Sequence, residues 1–154
     1  MRLEKQVAIQ ATREKVWAFL WNVEQLMSCI PGCQEARTVE EKKRYTAKVR
    51  EKIGPFKAEF PLDIEVLQMD EPRRLTARAS GKDSAVASSV KVDLSLDLAD
   101  TGAGTDLRVT ADVNILGKLG TLGYGLIKRR ADEIIGQFAG AIRQRLESRE
   151  GGGC

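Results

Sequence analysis

The chain has 154 residues, of which 42% are hydrophobic and 31% charged, with 25 basic and 22 acidic side chains and a net charge of +3. That length suits one domain with a substantial core, and the composition is that of a globular protein rather than a disordered or membrane-spanning one. The absence of histidine excludes triads, acid–base pairs and zinc sites built on imidazole, and the small basic excess argues against nucleic acid, whose binding needs a concentrated basic surface.

The one dense basic run, Lys128-Arg129-Arg130, is followed at once by Asp132 and Glu133. No segment approaches the roughly 18 apolar residues that span a bilayer, and MRLEKQVAIQ lacks the pattern of a secretory signal. The expectation is a cytoplasmic protein, with peripheral contact at the inner face of the cell membrane left open.

Residues Arg2 to Ile9 alternate, with Leu3, Val7 and Ile9 on one parity, which predicts a strand. Thr12 is a candidate N-cap for a helix carrying Val16, Trp17, Phe19 and Leu20, although Lys15 stands where a capping box would place Glu. Asn22 to Met27 reads as a second short helical piece, ended by Pro31-Gly32. From Cys33 to Ile115 the period is two. Tyr45, Ala47, Val49 and Ile53 share a parity up to Gly54-Pro55; Phe56, Ala58, Phe60, Leu62, Ile64 and Val66 share the next. Asp70-Glu71-Pro72 is a turn, Leu75, Ala77 and Ala79 follow, and Gly81 to Ser84 reads as another turn. Val86, Ser88, Val90, Val92, Leu94, Leu96 and Leu98 face one way, then Leu107, Val109, Ala111, Val113 and Ile115 after the Asp100–Gly104 turn. Such clean alternation predicts an antiparallel, hairpin-connected sheet with one covered face.

The period then becomes helical. Leu119, Leu122, Leu126, Ile127, Ile134, Phe138, Ile142 and Leu146 recur at three and four, predicting one helix of about 28 residues from near Leu119. Its glycines, at 120, 123, 125, 136 and 140, each cost roughly 1 kcal/mol in a helix interior, so its start is expected to be loosely formed or closely approached by other backbone. The sum is an α+β domain: a curved antiparallel sheet wrapped around a long C-terminal helix, with two short helices after the first strand. The domain is expected over 1–147, and 148–154 as a flexible Gly-rich tail ending in Cys154.

The inward positions Ala47, Ala58, Ala77, Ala79, Ser88 and Ala111 are small. A curved sheet facing a helix leaves a wedge that small side chains do not fill, so either the helix lies very close or an apolar pocket remains. Candidate walls are Phe56, Phe60, Leu62, Leu94, Leu96, Leu122, Leu126, Ile127, Ile134 and Phe138. A ligand tail burying about 300 Å² there would gain about 7 kcal/mol before binding entropy is charged against it. Lipid, quinone or another long apolar molecule suits such a site. Glu51 shares the parity of Tyr45 and Val49; facing inward, it must be paired, protonated or at a wet rim, with a rim place beside Gly54-Pro55 as the first reading and a local slip in the strand or a contact with a ligand head group as the alternatives. Tyr45 offers a hydroxyl for similar use.

Other motifs carry less. Gly117 to Gly123 lacks the order of a phosphate loop and follows no βαβ unit, and Asp63, Glu65, Asp93 and Asp97 lie on wet-face parities, which disfavours a paired-carboxylate hydrolase. Cys29 and Cys33 are spaced CxxxC after a helix, unlike the redox CxxC that precedes one. Two thiols do not complete a zinc site. They read as packed thiols flanking a turn, with a disulfide left open.

Trp17 with Val23-Glu24 and Leu26, CIPGC at 29–33, KIGPFKAEF at 52–60, Gly81, Gly104-Thr105 and LGTLGYGLIKRRADEIIGQF at 119–138 resemble the CoxG family of carbon monoxide dehydrogenase subunits, within the SRPBCC or START-like superfamily. The resemblance implies a helix-grip fold, a seven-stranded sheet gripping the C-terminal helix, and a cavity for an apolar ligand. It implies a non-enzymatic accessory protein with no catalytic residues, metal or obligatory cofactor. It also implies a bound quinone or lipid and a molybdenum-containing hydroxylase of the carbon monoxide dehydrogenase type as partner, through membrane recruitment or electron transfer. Pro31, Gly32, Gly54, Pro55, Gly120 and Gly123 carry over as cavity-shaping positions. Unlike longer members, the chain shows no hydrophobic extension after the grip helix. The alternatives are a protein-interaction module without ligand, and a cyclase or hydrolase on the same fold.

Overall fold

The computed structural model describes residues 1–83 and 85–151. Its strands are β1 (Arg2–Ile9), β2 (Cys33–Glu40), β3 (Arg44–Ile53), β4 (Phe56–Asp70), β5 (Arg74–Asp83), β6 (Ser88–Asp100) and β7 (Thr105–Gly117). Helices α1 (Arg13–Leu20) and α2 (Val23–Met27) follow β1, and α3 (Tyr124–Gly151) follows a 3₁₀ turn over Lys118–Leu122. The strands form one seven-stranded sheet in the order β1-β7-β6-β5-β4-β3-β2, antiparallel throughout. Tight hairpins give that order directly, except that β1 joins the far side of β7, placing the first and last strands together.

Register carries the sequence pattern into one face. Ala77 opposes both Val66 and Leu94, and Leu94 opposes Ala111, so inward parities line up across β4 to β7. The best-packed part of the interior lies where α1 and α2 close one end. There Val16, Trp17, Phe19, Leu20 and Leu26 pack with Leu96, Leu107 and Val109 of the sheet and Phe138, Ile142 and Leu146 of α3. Thr12 caps α1 by accepting the Lys15 N–H at 3.2 Å, the role its residue type favours. Trp17 Nε1 donates to Glu71 Oε1 at 2.9 Å, tying α1 to the β4–β5 turn.

Three boundaries differ from the sequence reading. The helix starts at Tyr124, not near Leu119, because Gly123 adopts φ 96° and ψ 150° and breaks the path after the 3₁₀ turn. Gly81 lies within β5, where it opposes Leu62; an added Cβ would stand 2.4 Å from the Pro61 carbonyl oxygen, so its glycine serves close packing rather than a turn. α3 continues through Gly151, past the expected start of the tail at 148; the rest of that expectation, residues 152–154, lies outside those described.

Gly32 shows why the Pro-Gly bend matters. Its φ is 78°, its carbonyl accepts the Arg50 N–H at 2.9 Å, and a Cβ would stand 2.1 Å from the Arg50 carbonyl oxygen. The loop between α2 and β2 is thereby laid against β3 with no room for a side chain. Gly32→Ala is expected to cost at least about 2 kcal/mol from strain and lost docking, lowering the midpoint of thermal unfolding by about 4–8 °C. An unchanged midpoint in a thermal melt would show that the loop does not depend on this contact.

Candidate cavity between sheet and helix

α3 is held to the sheet at its sides. Its backbone runs closest to β1, with lesser approaches to β7 and β3. On the β1 side the Lys5 stem crosses α3 where Gly136 leaves space, its Cε 3.7 Å from where a Cβ would be, and its Nζ pairs with Asp132 at 3.4 Å. On the β3 side Arg130 binds Glu51 through Nε and Nη2, each 2.6 Å from Oε1, while Nη1 reaches Glu133 at 2.9 Å. Bonding to Glu133, then to Glu51, pushes the Arg130 pKa further up. The Glu51 side chain is only 10% exposed, so its carboxylate is stabilised by a two-point guanidinium contact rather than by water.

Between these ties the middle strands face α3 without being sealed by it. Val90, Val92 and Leu94 of β6, Ala77 and Ala79 of β5, Leu62 and Val66 of β4, and Ala131, Ile134 and Ile135 of α3 are all half-buried. Central inward apolar side chains of a filled core would be fully covered. Here all but Ile134 pack against the Tyr45–Ile64 cluster or against Leu3, Ala111 and Val113, yet they keep partial exposure, so the apolar face between sheet and helix stays partly open, a potential cavity for a hydrophobic ligand.

One end of that space is formed by the β3–β4 turn. Gly54, at φ 58°, brings its backbone against Leu122 and Leu126, whose methyl carbons lie 3.5–3.6 Å from a notional Cβ. Ile53, Ala58, Phe60, Val86 and Leu119 are buried here, with Phe56, Leu62, Leu122 and Leu126 packed against them. At this end the sheet parts. β4–β5 pairing stops at Leu62–Gly81, while β4 continues along β3 and β5 along β6. Asp83 spans the split: its carboxylate accepts the Glu59 N–H at 2.7 Å and the Ala85 N–H at 2.9 Å, and these backbone donors, that of Glu59 foremost, hold its pKa below the ordinary 3.8. Buried Ser88 donates to the Val86 carbonyl at 2.8 Å and accepts the Leu119 N–H at 2.9 Å, pinning the 3₁₀ turn to the β5–β6 hairpin.

The proposed wall residues fall into three groups. Phe56, Phe60, Leu62, Leu122 and Leu126 meet beside Gly54-Pro55. Leu94, Leu96 and Phe138 join the cluster under α1 and α2, with Leu96 and Phe138 fully buried there. Ile127 is buried and Ile134 half-buried along α3. Tyr45 stands apart: it is buried with Val23, Ala47 and Ile64, and its hydroxyl accepts the Lys42 N–H of the β2–β3 turn, at the opposite end from Gly54. Pro31 and Gly32 sit in the loop against Arg50, Gly120 lies in the 3₁₀ turn, where an added Cβ would stand 3.3 Å from the Ile115 carbonyl oxygen, and Gly123 separates that turn from α3. Glu51 faces inward as its parity implied, and its partner is Arg130. In the sequence Arg130 reads only as part of a basic surface run. Its place three residues after Ile127 and four before Ile134, on the apolar stripe, is the signal that could have found it. The Asp83 and Ser88 roles have no local signature.

Cys29 and Cys33 are free thiols, with Cys29 buried and donating to the Gln25 carbonyl at 3.4 Å. Burial pushes both pKa values up, which disfavours the thiolate needed for redox attack. Two open surface depressions are also present: one of about 410 Å³ among Glu35, Arg37, Ala47, Lys48, Leu62 and Asp63, which therefore shares Leu62 with the candidate walls, and one of about 340 Å³ beside Lys82 and Leu116.

A curved antiparallel sheet gripping a long C-terminal helix, with a short helix pair closing one end, defines a helix-grip, START-like fold. Similar solved structures include a conserved Geobacillus kaustophilus protein, 22% identical with a TM-score of 0.85 over 96% of each chain. A Thermus thermophilus protein is 15% identical with a TM-score of 0.73 over 97% of this chain and 99% of its own. A START superfamily protein from Mycobacterium smegmatis is 18% identical with a TM-score of 0.67 over 96% and 97%. No curated protein matches the sequence. The family model for CoxG, a carbon monoxide dehydrogenase subunit, matches residues 6–147, and the chain belongs to that family. Its members are non-catalytic accessory proteins. Among the described residues, no helix is long and apolar enough to cross a membrane.

Two outcomes test the geometry. Arg130→Ala, which leaves the Glu51 carboxylate covered and unpaired, is expected to cost about 1–2 kcal/mol in urea unfolding, less than a fully buried pair because Arg130 still reaches water. An unchanged midpoint would mean the pair does not tie α3 to β3. For Asp83, the depressed folded pKa means a stabilising contribution that is full above its ordinary value and lost as pH falls through the lower folded value. Asp83→Asn should therefore be less stable than the parent at neutral pH, with the gap closing below the ordinary 3.8. A gap constant with pH would disprove a role for the charge.

Proposed function

We propose that the protein is a non-enzymatic carrier that holds a quinone or another long lipid between the sheet and α3. We infer that it serves a molybdenum-containing hydroxylase of the carbon monoxide dehydrogenase type, at or near a membrane. The observation that carries this reading is the half-buried apolar lining of β4, β5 and β6 opposite α3. A chain of this length normally closes its core; here alanines stand on the central strands and the helix is tied at its sides. Apolar space of this kind favours a guest by removing its surface from water.

Membership of a family of carbon monoxide dehydrogenase subunits supports this choice of partner class. A quinone held in such a space would give a hydroxylase an electron acceptor that is nearly insoluble in water. The chain's part is to bind the apolar body, exclude water and release the guest at the Gly54 end, where the Leu122 and Leu126 side chains meet the turn.

Native mass spectrometry and lipid extraction after gentle purification should find a bound isoprenoid quinone or lipid. A protein that is empty and takes up no isoprenoid quinone would overturn the carrier reading and favour an interaction module. Leu122→Trp or Leu126→Trp is expected to lower quinone uptake severalfold, by filling the space near Gly54, while circular dichroism stays unchanged. Full uptake by the folded variants would put the cavity elsewhere.

A further inference from the structure

The antiparallel order gathers the β3–β4 turn, the β5–β6 turn, the end of β7, the 3₁₀ turn and the start of α3 at one end of the molecule. The contacts of Gly54 with Leu122 and Leu126, and the Lys118 N–H donated to the Ala87 carbonyl, join these segments. The two most exposed large apolar side chains both lie here, Leu116 at 69% and Tyr124 at 65%. Lys52, Lys57, Lys82, Lys118, Lys128 and Arg129 are exposed on the same segments, and none is in an ion pair among the described residues. Lys52 and Lys57 oppose each other directly across the hairpin, an arrangement that destabilises a sheet unless something anionic meets it.

The acids at this end are already engaged. Glu51 and Glu133 bind Arg130, Asp132 binds Lys5, Asp112 binds the N-terminal ammonium, Glu59 binds Lys48 and Arg50, and Asp83 binds backbone N–H groups. The first turn of α3 has no acidic residue, so the positive end of its dipole is also uncompensated. A net charge of +3 thus hides a strongly cationic end.

We propose that this end docks on an anionic lipid surface, with Tyr124 and Leu116 entering the headgroup region and the lysines meeting lipid phosphates. The composition favours a bilayer over a protein partner. Protein interfaces are depleted in lysine, whereas lysines near an anionic leaflet each add attraction, and tyrosine settles at the membrane–water boundary. Docking here turns the Gly54–Leu122–Leu126 end of the cavity toward the bilayer, so an apolar guest would pass between lipid and protein without crossing water. That purpose rests on the carrier reading; the docking is tested separately from it.

The test is co-sedimentation of the full chain with vesicles of phosphatidylcholine alone or with about one-third phosphatidylglycerol. Binding is expected on the anionic vesicles only, falling as salt rises from about 0.1 to 0.5 M. Replacing Lys52, Lys57, Lys118 and Lys128 by Glu should lower partition at least tenfold, roughly. Tyr124→Ala with Leu116→Ser should lower it a few-fold, roughly, with folding verified by circular dichroism. Arg73→Glu with Lys43→Glu, at the opposite end, should change it little. No partition onto anionic vesicles, or equal loss from the opposite-end variant, overturns the proposal; the former result would leave the cationic end to an acidic protein. Vesicle binding by a chain that takes up no quinone would keep the docking and remove the carrier function.

Discussion

The distance between α3 and the middle of the sheet is the constraint on which the rest depends. Two side attachments set it: Lys5 lying over Gly136 and reaching Asp132 on the β1 side, and Arg130 gripping Glu51 on the β3 side. The second half of α3 does settle onto β5 and β6, with Phe138 and Ile142 in one cluster with Leu75 and Leu96; it is over its first half that the side attachments govern the approach. Held at its flanks, it leaves Ala77, Ala79, Val92 and Leu94 half-covered. The Glu51 carboxylate is more informative than its energy suggests. A covered ion pair is a weak source of stability compared with an apolar contact of the same size, but it fixes geometry in a way that interchangeable methyl groups do not.

Much of the architecture is legible in the sequence because two strong periodicities meet in it. Six alternating segments and one stripe at three and four can hardly pack otherwise than as a sheet around a helix, while the seventh strand, β2, has no alternation to announce it. The details that escape such a reading share a physical cause: each depends on a neighbour distant in sequence or on a single backbone angle. Gly81 reads as a turn, yet the Pro61 carbonyl oxygen stands where its Cβ would be. Leucine spacing places the helix start too early, whereas the Gly123 backbone decides it. Tyr45 shares the wall's parity but sits at the other end of β3 from Gly54, where the Lys42 N–H uses its hydroxyl; parity fixes a face and says nothing of position along it. Arg130 and Asp83 are hidden because a charged residue in a charged run reads as solvated until its partner is seen.

The same residues that shape the interior also make its two ends unlike. At the α1–α2 end, Leu107 and Ile142 are wholly buried, Thr12 caps its helix, and Thr105 Oγ1 donates to the Ala11 carbonyl at 2.8 Å in the interior. At the Gly54 end, Gly117 and Gly123 hold positive φ, the strand pairing of β4 and β5 stops, and the helix begins without an acid in its first turn. Each of these features weakens local structure, by backbone entropy, lost ladder bonds or an unmatched dipole. Their gathering at one end fits a molecule that opens locally there while its closed end stays folded, since opening free energies follow local packing rather than global stability.

The cysteine-bearing loop belongs to this division and not to redox chemistry. SCIPGC at 28–33 sits between α2 and β2, with the first thiol packed under α1 and α2 and the bend laid on Arg50. Glu51, the next residue of β3, bonds to Arg130. The Gly32 contact therefore braces the strand that carries the anchor of α3. On its outer side this strand is bordered only by the irregular β2, so without the Gly32 brace that flank of the Glu51 segment would rest on bulged pairing alone. The requirement for glycine at this bend is thus a requirement on the width of the cavity, transmitted through two neighbouring residues of one strand.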